Sequence, residues 1–487
     1  MCKTRAGGSL SGSLSLKKDD NAMKIAVSSS ENLADVLRTK GIPLDMRCGG
    51  LGRCGRCRVK LLSGSWEYDG VPVSIPAAVP ACRVRLTGGR GVVELVGTDA
   101  STPERMPGFD FEIPSGSSVT AIAFDLGTTT LAAVKVRGGK ILASAGAFNG
   151  QNRFGDNVVT RIARASTADG LAALQQAVLS SLKQLLDELG GEGVERIAVS
   201  GNTVMCCLLH GIDPASIGVY PFVPPVSEFP VRRDLLPPFE VLTTPCISGY
   251  LGGDIVSGLY ATNLRAGEML VDLGTNCEIV FNTGNGWFGT SAAAGPAFEG
   301  VGLRCGMRAG NGAIEHYRAP GDFSVIGDVD ARGICGSAYV DYLAVERAGG
   351  RINEFGRFVS PAEEYREIAP GIGLSEEDVE QLLKAKAAIS SGISALEEYC
   401  GMTASKLFLA GGFAAGLDLD RAVAIGMLPP HREMVKIGNS SLAGAAALAI
   451  KPELSPEFLR LSRIPREIPS AELPGFSSRF ADALLLP

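Results

Sequence analysis

Two short turns of nearly the same sequence constrain the fold of this 487-residue chain more than any other feature. The first stands in VTAIAFDLGTTTLAAVKV and the second, about 147 residues later, in EMLVDLGTNCEIVF. In each, an apolar run typical of a buried strand ends at an aspartate, Asp125 or Asp272, and a D-x-G-T turn leads into a second apolar strand. The recurrence of one turn in the same context indicates an internal duplication.

Both turns predict a hairpin that binds phosphate, because their backbone amides and hydroxyl groups can hold phosphate oxygens. Taken singly, either aspartate could be an ordinary turn residue, and the prediction depends on the pair. The hairpin residues are Gly127, Thr128, Thr129 and Thr130 in the first copy and Gly274, Thr275 and Asn276 in the second.

A third element lies near the C-terminal end, in KLFLAGGFAAGLDL. An apolar strand runs there into Gly411, Gly412 and Phe413 and then into a helix, and this arrangement fits close approach to an adenosine moiety. The chain holds 62 glycines, nearly double the usual share of about 7%. Such an excess is typical of a chain with many tight turns and close backbone approaches, as phosphate-binding loops require.

The stretch RCGGLGRCGRCRV carries three cysteines with the spacing of metal ligands, and a fourth cysteine follows 24 residues later. Three ligands on one glycine-rich loop and one distant ligand are the arrangement of a [2Fe-2S] ferredoxin, although this loop is one residue longer than the plant-type spacing. A structural zinc or an unmetallated turn is the alternative. A zinc ribbon usually pairs two C-x2-C knuckles, however, and the fourth cysteine has no second cysteine near it. The predicted ligands are Cys48, Cys54, Cys57 and Cys82.

Composition and charge exclude several classes of protein. Hydrophobic residues make up 45% of the chain and charged residues 20%, as in globular proteins, and the formal net charge of -6 argues against a nucleic-acid partner. No apolar run approaches the roughly 20 residues of a membrane span, so no membrane is expected as a partner. Residues 1–22 lack the apolar stretch of a signal peptide, and we therefore expect a cytoplasmic protein with reduced thiols.

The two hairpins and the third element, in this order, resemble the phosphate 1, phosphate 2 and adenosine motifs of the actin, sugar kinase and Hsp70 ATPase superfamily. The resemblance implies two similar α/β subdomains with ATP and Mg²⁺ in the cleft between them. Asp125 and Asp272 would hold the metal, mainly through water. Asp254, in a GGD element between the strand-like CISGYL and an apolar helix, would orient the attacking water as the catalytic residue. A helix cap is the alternative role for Asp254.

A [2Fe-2S] module ahead of such an ATPase resembles the reductive activators of corrinoid proteins. The strings GNTVMCCLLHGIDP, GYLGGDIVSGLYAT, GTSAAAGPAFEG, GMRAGNGAIE and FADALLLP support the likeness. The implied fold is a multidomain α/β and α+β chain, with an N-terminal β-grasp ferredoxin-like domain followed by a duplicated actin/Hsp70-like ATPase fold. The implied activity is ATP-dependent reduction of the Co(II) corrinoid of a methyltransferase's corrinoid protein, which restores Co(I).

The resemblance also implies partners. We expect a corrinoid protein of a methyltransferase system, an upstream reductase or ferredoxin as electron donor, and a homodimer. The cluster loop is basic in an acidic chain, and this charge predicts either ordinary solvation or a docking face for an acidic donor. The basic residues are Arg47, Arg53, Arg56, Arg58 and Lys60.

Other functions stay open at this point. An activator of another low-potential iron-sulfur or cobalamin enzyme would have the same sequence features. A small-molecule kinase would use the cleft but would not need the cysteine loop, and a plain redox carrier would not need the ATPase.

The expected domains follow from composition and motifs. Local patterns also predict a strand over Lys24–Val27, a helix from about Glu31 to Lys40 and a packed helix within Ser375–Gly401. The domains are a flexible tail (1–22), a [2Fe-2S] ferredoxin-like domain (23–97), a linker (98–118), an ATPase domain of two similar subdomains (119–450) and a C-terminal extension packed on it (451–487).

Overall fold

The structure is a computed structural model. It describes residues 24–28, 30–40, 42, 44, 52, 57–95, 113–115, 117–155, 157–360 and 365–487. The described residues fall into two units. The first holds those within 24–44 and 57–95, and the second holds residue 52 and those within 113–487. Within these ranges no helix is both long and apolar enough to cross a membrane.

The first unit is an antiparallel five-stranded sheet with one helix. The strands follow the order β1-β5-β2-β3, and β4 pairs with the other part of β2. Alternate residues of β2 point into the core, where Val59 and Leu61 are fully buried and Leu61 lies opposite Val93. The elements are β1 (Lys24–Val27), α1 (Leu33–Thr39), β2 (Arg58–Tyr68), β3 (Val71–Val73), β4 (Ala77–Pro80) and β5 (Val84–Leu95).

The second unit begins with a lobe that we call the first lobe. Its sheet has the order β10-β9-β6-β7-β8, in which β10, β9 and β6 are parallel and β6, β7 and β8 are antiparallel. Its elements are β6 (Thr120–Leu126), β7 (Thr130–Arg137), β8 (Lys140–Phe148), α2 (Val158–Ala165), α3 (Ala168–Leu189), β9 (Val194–Gly201), α4 (Thr203–His210), β10 (Glu240–Thr243) and α5 (Gly253–Thr262).

The second lobe repeats this plan with additions. Its elements are β11 (Glu268–Leu273), β12 (Cys277–Asn282), β13 (Trp287–Ala292), β14 (Ala313–Ala319), β15 (Asp322–Val325), β16 (Gly333–Ile334), α6 (Gly336–Ala348), β17 (Tyr365–Ala369), β18 (Ile372–Ser375), α7 (Glu376–Cys400), β19 (Lys406–Ala410), α8 (Gly412–Ala415), α9 (Leu419–Ala424), β20 (Glu433–Gly438), α10 (Ser440–Ile450), α11 (Ser455–Ser462), β21 (Arg466–Glu467) and α12 (Phe476–Asp482).

The sheets of the two lobes share one topology. The second sheet has the order β20-β19-β11-β12-β13-β21, so β20, β19 and β11 are parallel and a hairpin follows β11, as one follows β6. The likeness extends to single atoms. A Cβ added to Gly201, at the end of β9, would lie 2.6 Å from Leu126 O, and one added to Gly411, after β19, would lie 2.6 Å from Leu273 O. The duplication predicted from the two turns is therefore present in the fold.

Helices α5 and α10 cross in close contact between the two sheets. A Cβ on Gly444 would lie 2.4 Å from the Cβ of Ser257, so only glycine allows this crossing distance. All eleven residues of α10 are buried, which explains its apolar sequence SSLAGAAALAI. The N-termini of both helices carry polar residues that reach the site described below.

The chain after α10 packs on the second unit. Strand β21 pairs in parallel with β13 at the edge of the second sheet, and α12 packs against α7. Phe458 of α11 stacks on Tyr260 of α5 with ring centroids 4.8 Å apart.

Two local patterns differ in how well they predict structure. Helix α7 spans Glu376–Cys400, as the helical spacing of its apolar residues predicts, and it begins and ends at the caps Ser375 and Gly401. The strand-like CISGYL is instead a turn, because the amides of Ile247 and Ser248 both donate to Leu251 O. Cys246 and Leu251 are buried and Ile247 and Tyr250 are half-buried, although none of them belongs to a sheet.

Candidate functional site

Carboxylates from both lobes meet at one site. Asp125 lies near the end of β6, Asp272 lies at the same place in β11, and Asp254 lies in the first turn of α5. Burial raises the pKa of Asp272, and the charges of Asp254 and Asp125 raise it further, so these three side chains share one electrostatic environment. The predicted metal-holding pair and the predicted catalytic residue are thus brought together.

The site is strongly acidic and poorly solvated. Loss of solvent, with the neighbouring carboxylates, raises the pKa of Asp272 to about 8 and that of Asp254 to about 7. Loss of solvent also raises the pKa of Asp125, against the effect of two hydrogen bonds. A bound divalent cation would favour the charged form of these carboxyl groups. This set of oxygen donors fits Mg²⁺.

The sequence motifs do not identify Glu278, which is a fourth carboxylate of this site. It lies directly opposite Asp272 in the β11–β12 pair, and burial together with the charges of Asp254 and Asp272 raises its pKa. The signal that could have found it is hairpin register, since residues directly opposite in an antiparallel pair share one face. In the first lobe Asp125 faces Ala132 instead, so the second copy carries the additional charge.

Asp125 is held by the start of α10. Asn439 Nδ2 donates to Asp125 Oδ2 and Ser441 Oγ donates to Asp125 Oδ1, each at 2.8 Å. Asn439 also caps the helix, because its Oδ1 accepts from the amide of Leu442. The start of α10, which follows β20 of the second sheet, therefore contacts Asp125 beside the first hairpin.

The first hairpin, Gly127 to Thr130, is half-buried. A Cβ on Gly127 would lie 2.5 Å from Thr130 O, so the tight turn requires glycine there. Asn202 Nδ2 donates to Thr128 Oγ1 at 2.9 Å, and Asn202 Oδ1 accepts from the amide of Met205 as the cap of α4. Helix α4 is thereby tied to the hairpin.

The second hairpin is connected to the first lobe through a glutamate and an arginine. Thr275 Oγ1 donates to Glu299 Oε1 at 2.5 Å, and Arg308 Nη2 donates to Glu299 Oε2 at 2.7 Å. The Arg308 guanidinium lies 5.5 Å from the ring centroid of Phe148, at the end of β8 in the first lobe. Asn276 accepts from the Gly274 amide through its carbonyl at 3.0 Å, which closes the turn.

The adenosine element lies against Asp272. Gly411 has a φ of +97°, and a Cβ there would lie 2.9 Å from Asp272 Oδ1. Gly412 begins α8, and Phe413 in this helix stacks on Phe298 with centroids 4.8 Å apart. The structure therefore brings all three predicted nucleotide-binding elements to the acidic site.

Asp254 does not cap its helix. Gly252 occupies the N-cap position of α5, and the Asp254 carboxylate accepts from the amide of Ile255 at 2.9 Å. Its pKa near 7 suits a group that takes up a proton from water at neutral pH.

Two of the four predicted cluster ligands lie together in the first unit. Cys57 immediately precedes β2, and its carbonyl accepts from the Ala81 amide at 2.8 Å, next to Cys82. Both cysteines are buried, and Asn32 Nδ2 donates to Cys82 O at 2.7 Å. Cys48 and Cys54 lie outside the described residues. Cys57 stands at the end of the cysteine-rich sequence, and Cys82 follows β4. Two thiol ligands placed in this way fit a [2Fe-2S] cluster.

No group of three or more His, Cys, Asp or Glu side chains in the described ranges is arranged to hold a metal ion by itself.

Comparison with known families covers almost the whole chain. Residues 16–87 match the 2Fe-2S iron-sulfur cluster binding domain. Residues 120–267 match the RACo middle region, and residues 267–487 match the C-terminal domain of RACo, the ASKHA domain. The predicted fold class is thereby confirmed.

Individual relatives agree with the family matches. The corrinoid activation enzyme RamQ of Eubacterium limosum is 25% identical over 569 residues, covering 93% of this chain and 96% of RamQ. The [Co(II) methylated amine-specific corrinoid protein] reductase of Methanosarcina barkeri is 26% identical over 322 residues, or 55% of this chain and 58% of that protein. A solved reductive activator for corrinoid, iron-sulfur protein superimposes with a TM-score of 0.71 at 25% identity, over 95% of this chain and 96% of that one. This chain belongs to the family of reductive activators of corrinoid proteins, in which a [2Fe-2S] domain precedes an ASKHA ATPase domain.

Proposed function

We propose that this protein is an ATP-dependent reductive activator, which passes one electron from a [2Fe-2S] cluster to the Co(II) corrinoid of a methyltransferase's corrinoid protein and restores Co(I). One observation carries the proposal: a single chain combines an iron-sulfur unit with a two-lobed site where carboxylates of both lobes meet. The similar proteins named above are themselves a corrinoid activation enzyme and a corrinoid protein reductase.

The requirement for ATP follows from redox energetics. For a one-electron couple, each ~59 mV of unfavourable potential costs about 1.4 kcal/mol. An uphill gap of roughly 240 mV therefore costs about 5.5 kcal/mol, which is about the free energy needed to shift a two-state equilibrium from 1:99 to 99:1. A lobe closure driven by nucleotide can supply this energy if it favours a complex in which the cobalt is easier to reduce.

Each element of the site has a role in this cycle. The two hairpins hold phosphate oxygens through backbone amides and hydroxyls, and the turn at Gly411 and Gly412 receives the adenosine. Asp125 and Asp272 would hold Mg²⁺ through water, and this ion would neutralise phosphate charge. Asp254 orients the attacking water and takes up its proton, for which a pKa near 7 is suitable.

The electron enters through the first unit. Cys48, Cys54, Cys57 and Cys82 would hold the cluster, which supplies a one-electron carrier when bound. We assign the basic residues around the cluster loop to docking of an acidic reductase or ferredoxin, with Arg53 as the residue to test. The rate of cluster reduction should fall as salt rises and should drop in Arg53→Glu. A rate independent of salt would contradict this docking face. A homodimer and a cytoplasmic location remain predictions.

An anaerobic reconstitution assay tests the proposed function. The full chain with its cluster is reduced, mixed with a Co(II) corrinoid protein, and Co(I) is followed by its absorption with Mg-ATP, with Mg-ADP or without nucleotide. Reduction only with Mg-ATP is the expected result. Equal reduction without nucleotide would indicate a plain redox carrier, and transfer of labelled phosphate to a metabolite would indicate a kinase.

The partner can be identified by affinity capture of the native complex. A captured protein that contains cobalamin and belongs to a methyltransferase system would support the proposal. Capture of another iron-sulfur or cobalamin enzyme, reduced in the same assay, would favour the alternative that this chain activates a different low-potential enzyme.

A further inference from the structure

Three side chains that follow β8 hold the carbonyl groups of the first phosphate hairpin from behind. Asn149 Nδ2 donates to Gly127 O at 2.9 Å, and Arg161 Nη2 donates to Thr128 O at 2.6 Å. Thr129 O accepts from Asn152 Nδ2 at 3.1 Å and from the Asn149 amide at 2.9 Å. We call Asn149, Asn152 and Arg161 the hairpin bracket. Three successive carbonyls are thus bound by one short segment of chain.

Arg161 is the central member of the bracket. It is the largest of the fully buried side chains and has no exposed surface. The same Nη2 that contacts the hairpin also donates to Asn152 Oδ1 at 2.7 Å, and Nε donates to Gly155 O at 3.1 Å. Burial of an arginine side chain is costly unless its donors are satisfied, so its position is tightly determined.

The bracket determines which way the hairpin amides point. In a trans peptide the C=O of one residue and the N–H of the next point in opposite directions. The bond to Gly127 O therefore directs the Thr128 N–H away from the bracket, and the bond to Thr128 O does the same for the Thr129 N–H. Asn149 and Arg161 are buried, whereas the hairpin is half-exposed, so both amides point toward the open side. Successive amides turned to one side form an anion-binding concavity.

The second hairpin is held differently. Thr275 O accepts from the backbone amide of Gly295 at 2.8 Å, and the Thr275 hydroxyl is bound to Glu299. No side chain equivalent to Arg161 contacts a carbonyl of this hairpin among the hydrogen bonds of the described residues. The bracket is therefore a feature of the first lobe only among the described residues. Its three residues lie after β8, outside the duplicated turn.

We propose that Arg161 is a positioning residue for ATP, which acts with Asn149 and Asn152 to preset the amides of Thr128 and Thr129 for phosphate oxygens. This inference rests on the proposed use of ATP by this chain, and it adds residues that no motif of the nucleotide site contains. The bracket's energetic role is preorganisation: the amides are oriented before the nucleotide arrives, so binding does not have to order them.

Binding of ATP and AMP to the full chain tests this role by isothermal titration calorimetry with Mg²⁺ present. AMP has one phosphate and makes fewer contacts to the hairpins. Arg161→Met should weaken ATP binding about tenfold or more and AMP binding much less, so that the preference for ATP falls. Arg161→Lys, which retains the charge but loses the forked donors, should lose part of that preference. Asn152→Ala, a smaller change, should lower it in the same direction.

Arg366→Met is the matched control. Arg366 Nη1 pairs with Glu346 at 2.8 Å, and its guanidinium lies 5.0 Å from the ring centroid of Phe358, both in the second lobe; the Arg366 side chain is 18% exposed. Removing this buried pair should lower the melting temperature without changing the preference for ATP over AMP. Equal weakening of ATP and AMP in Arg161→Met and Asn152→Ala would overturn the inference, as would unchanged ATP binding in both.

These outcomes are distinct from failure of the proposed function. A wild-type chain that binds ATP and activates no corrinoid protein would refute that function, while the bracket test could still be completed. A wild-type chain that binds no ATP would refute both.

Discussion

Asp254 and Asp272 are close in space, but they enter the site from different elements and should have separable roles. Asp254 lies in the first turn of a helix, and Asp272 lies in a strand next to the second hairpin. Asp254→Asn should lower the rate of ATP hydrolysis about 10²-fold or more with little change in nucleotide affinity, because the lost group acts on the water. Asp272→Ala should weaken Mg-ATP binding itself. Steady-state turnover and calorimetric affinity, measured for both variants, check this.

Unaltered turnover in Asp254→Asn would leave that residue with a structural role only, in its bond to the Ile255 amide. Equal loss of affinity in the two variants would mean that both carboxylates hold the metal.

The raised pKa of Asp272 predicts a pH dependence of stability in the absence of nucleotide and Mg²⁺. An aspartate in the unfolded chain has a pKa of about 3.9, whereas burial raises the pKa of Asp272 in the folded protein to about 8. Between these values the folded state binds a proton that the unfolded state has lost, so stability falls as pH rises from about 4 to about 8. Asp272→Asn removes this effect. The melting temperature of Asp272→Asn relative to wild type should therefore be higher at pH 8 than at pH 5.

Asp187→Asn, on the exposed part of α3, is the control for this measurement, with the same difference from wild type expected at both pH values. If the melting temperature of Asp272→Asn differed from that of wild type by the same amount at pH 5 and pH 8, the folded protein would not hold a proton at Asp272.

Residues that belong to a local motif could be predicted from the sequence, and residues that act through tertiary contacts could not. Asp125 and Asp272 follow from the repeated turn. Glu278 follows only from strand register, and it escapes motif analysis because an isolated glutamate in a strand has no distinctive pattern. Arg161 lies about 30 residues beyond the hairpin that it contacts, in an amphipathic helix where an arginine is ordinarily solvent-exposed.

At the scale of elements, the turn between β19 and α8 should tolerate no side chain at its first position. Gly411 has a φ of +97°, and a Cβ there would meet Leu273 O at 2.6 Å, so Gly411→Ala must displace the strand that carries Asp272. We expect a loss of about tenfold or more in ATP affinity and a destabilisation of about 1–3 kcal/mol. Calorimetric binding and thermal unfolding measure the two effects.

Gly416→Ala is the control at the other end of α8. Gly416 has a φ of -89°, and its nearest neighbours for a Cβ are Ser337 atoms at 3.5 Å and 3.6 Å, an ordinary contact distance. This variant should bind ATP like wild type. Normal ATP binding by Gly411→Ala would show that the turn can relax and that its geometry is not required by the nucleotide.

Elements were predictable where a long apolar periodicity is present, as in α7. They were not predictable where a turn carries apolar residues that are buried or half-buried, as in CISGYL, because an apolar run alone does not distinguish a strand from a packed loop. The repeated turn was sufficient to indicate the duplicated sheets, since each copy is a strand, a hairpin and a second strand. The order β10-β9-β6 could not be derived in this way, since parallel neighbours are joined by long connections.

At the scale of the whole molecule, the iron-sulfur chemistry and the nucleotide chemistry should be separable by mutation. The four predicted cluster ligands come from residues 48–82, whereas the nucleotide elements come from residues 125–413. Cys54→Ala should abolish the visible absorption of the cluster and leave ATP affinity within about twofold of wild type. Absorption spectra, iron content and calorimetric ATP binding check both parts.

Cys400→Ala, at the end of α7, is the control and should change neither property. Zinc without iron after anaerobic reconstitution of the wild type would instead support the structural zinc alternative.

The two copies of the duplicated fold have diverged where equivalent turns follow β9 and β19. In the first lobe, Gly201 is followed by Asn202, whose side chain reaches the hairpin at Thr128. In the second lobe, Gly411 is followed by Gly412, which has no side chain, and the second hairpin strand adds Glu278 where the first has Ala132. A perfectly repeated cleft would accept a nucleotide in two orientations related by its pseudo-twofold axis. Because Asn202 and Gly412 differ at equivalent places, we expect a nucleotide to bind this cleft in one orientation only, with its nucleoside at Gly411 and Gly412. Each turnover would then release the terminal phosphate in the same direction.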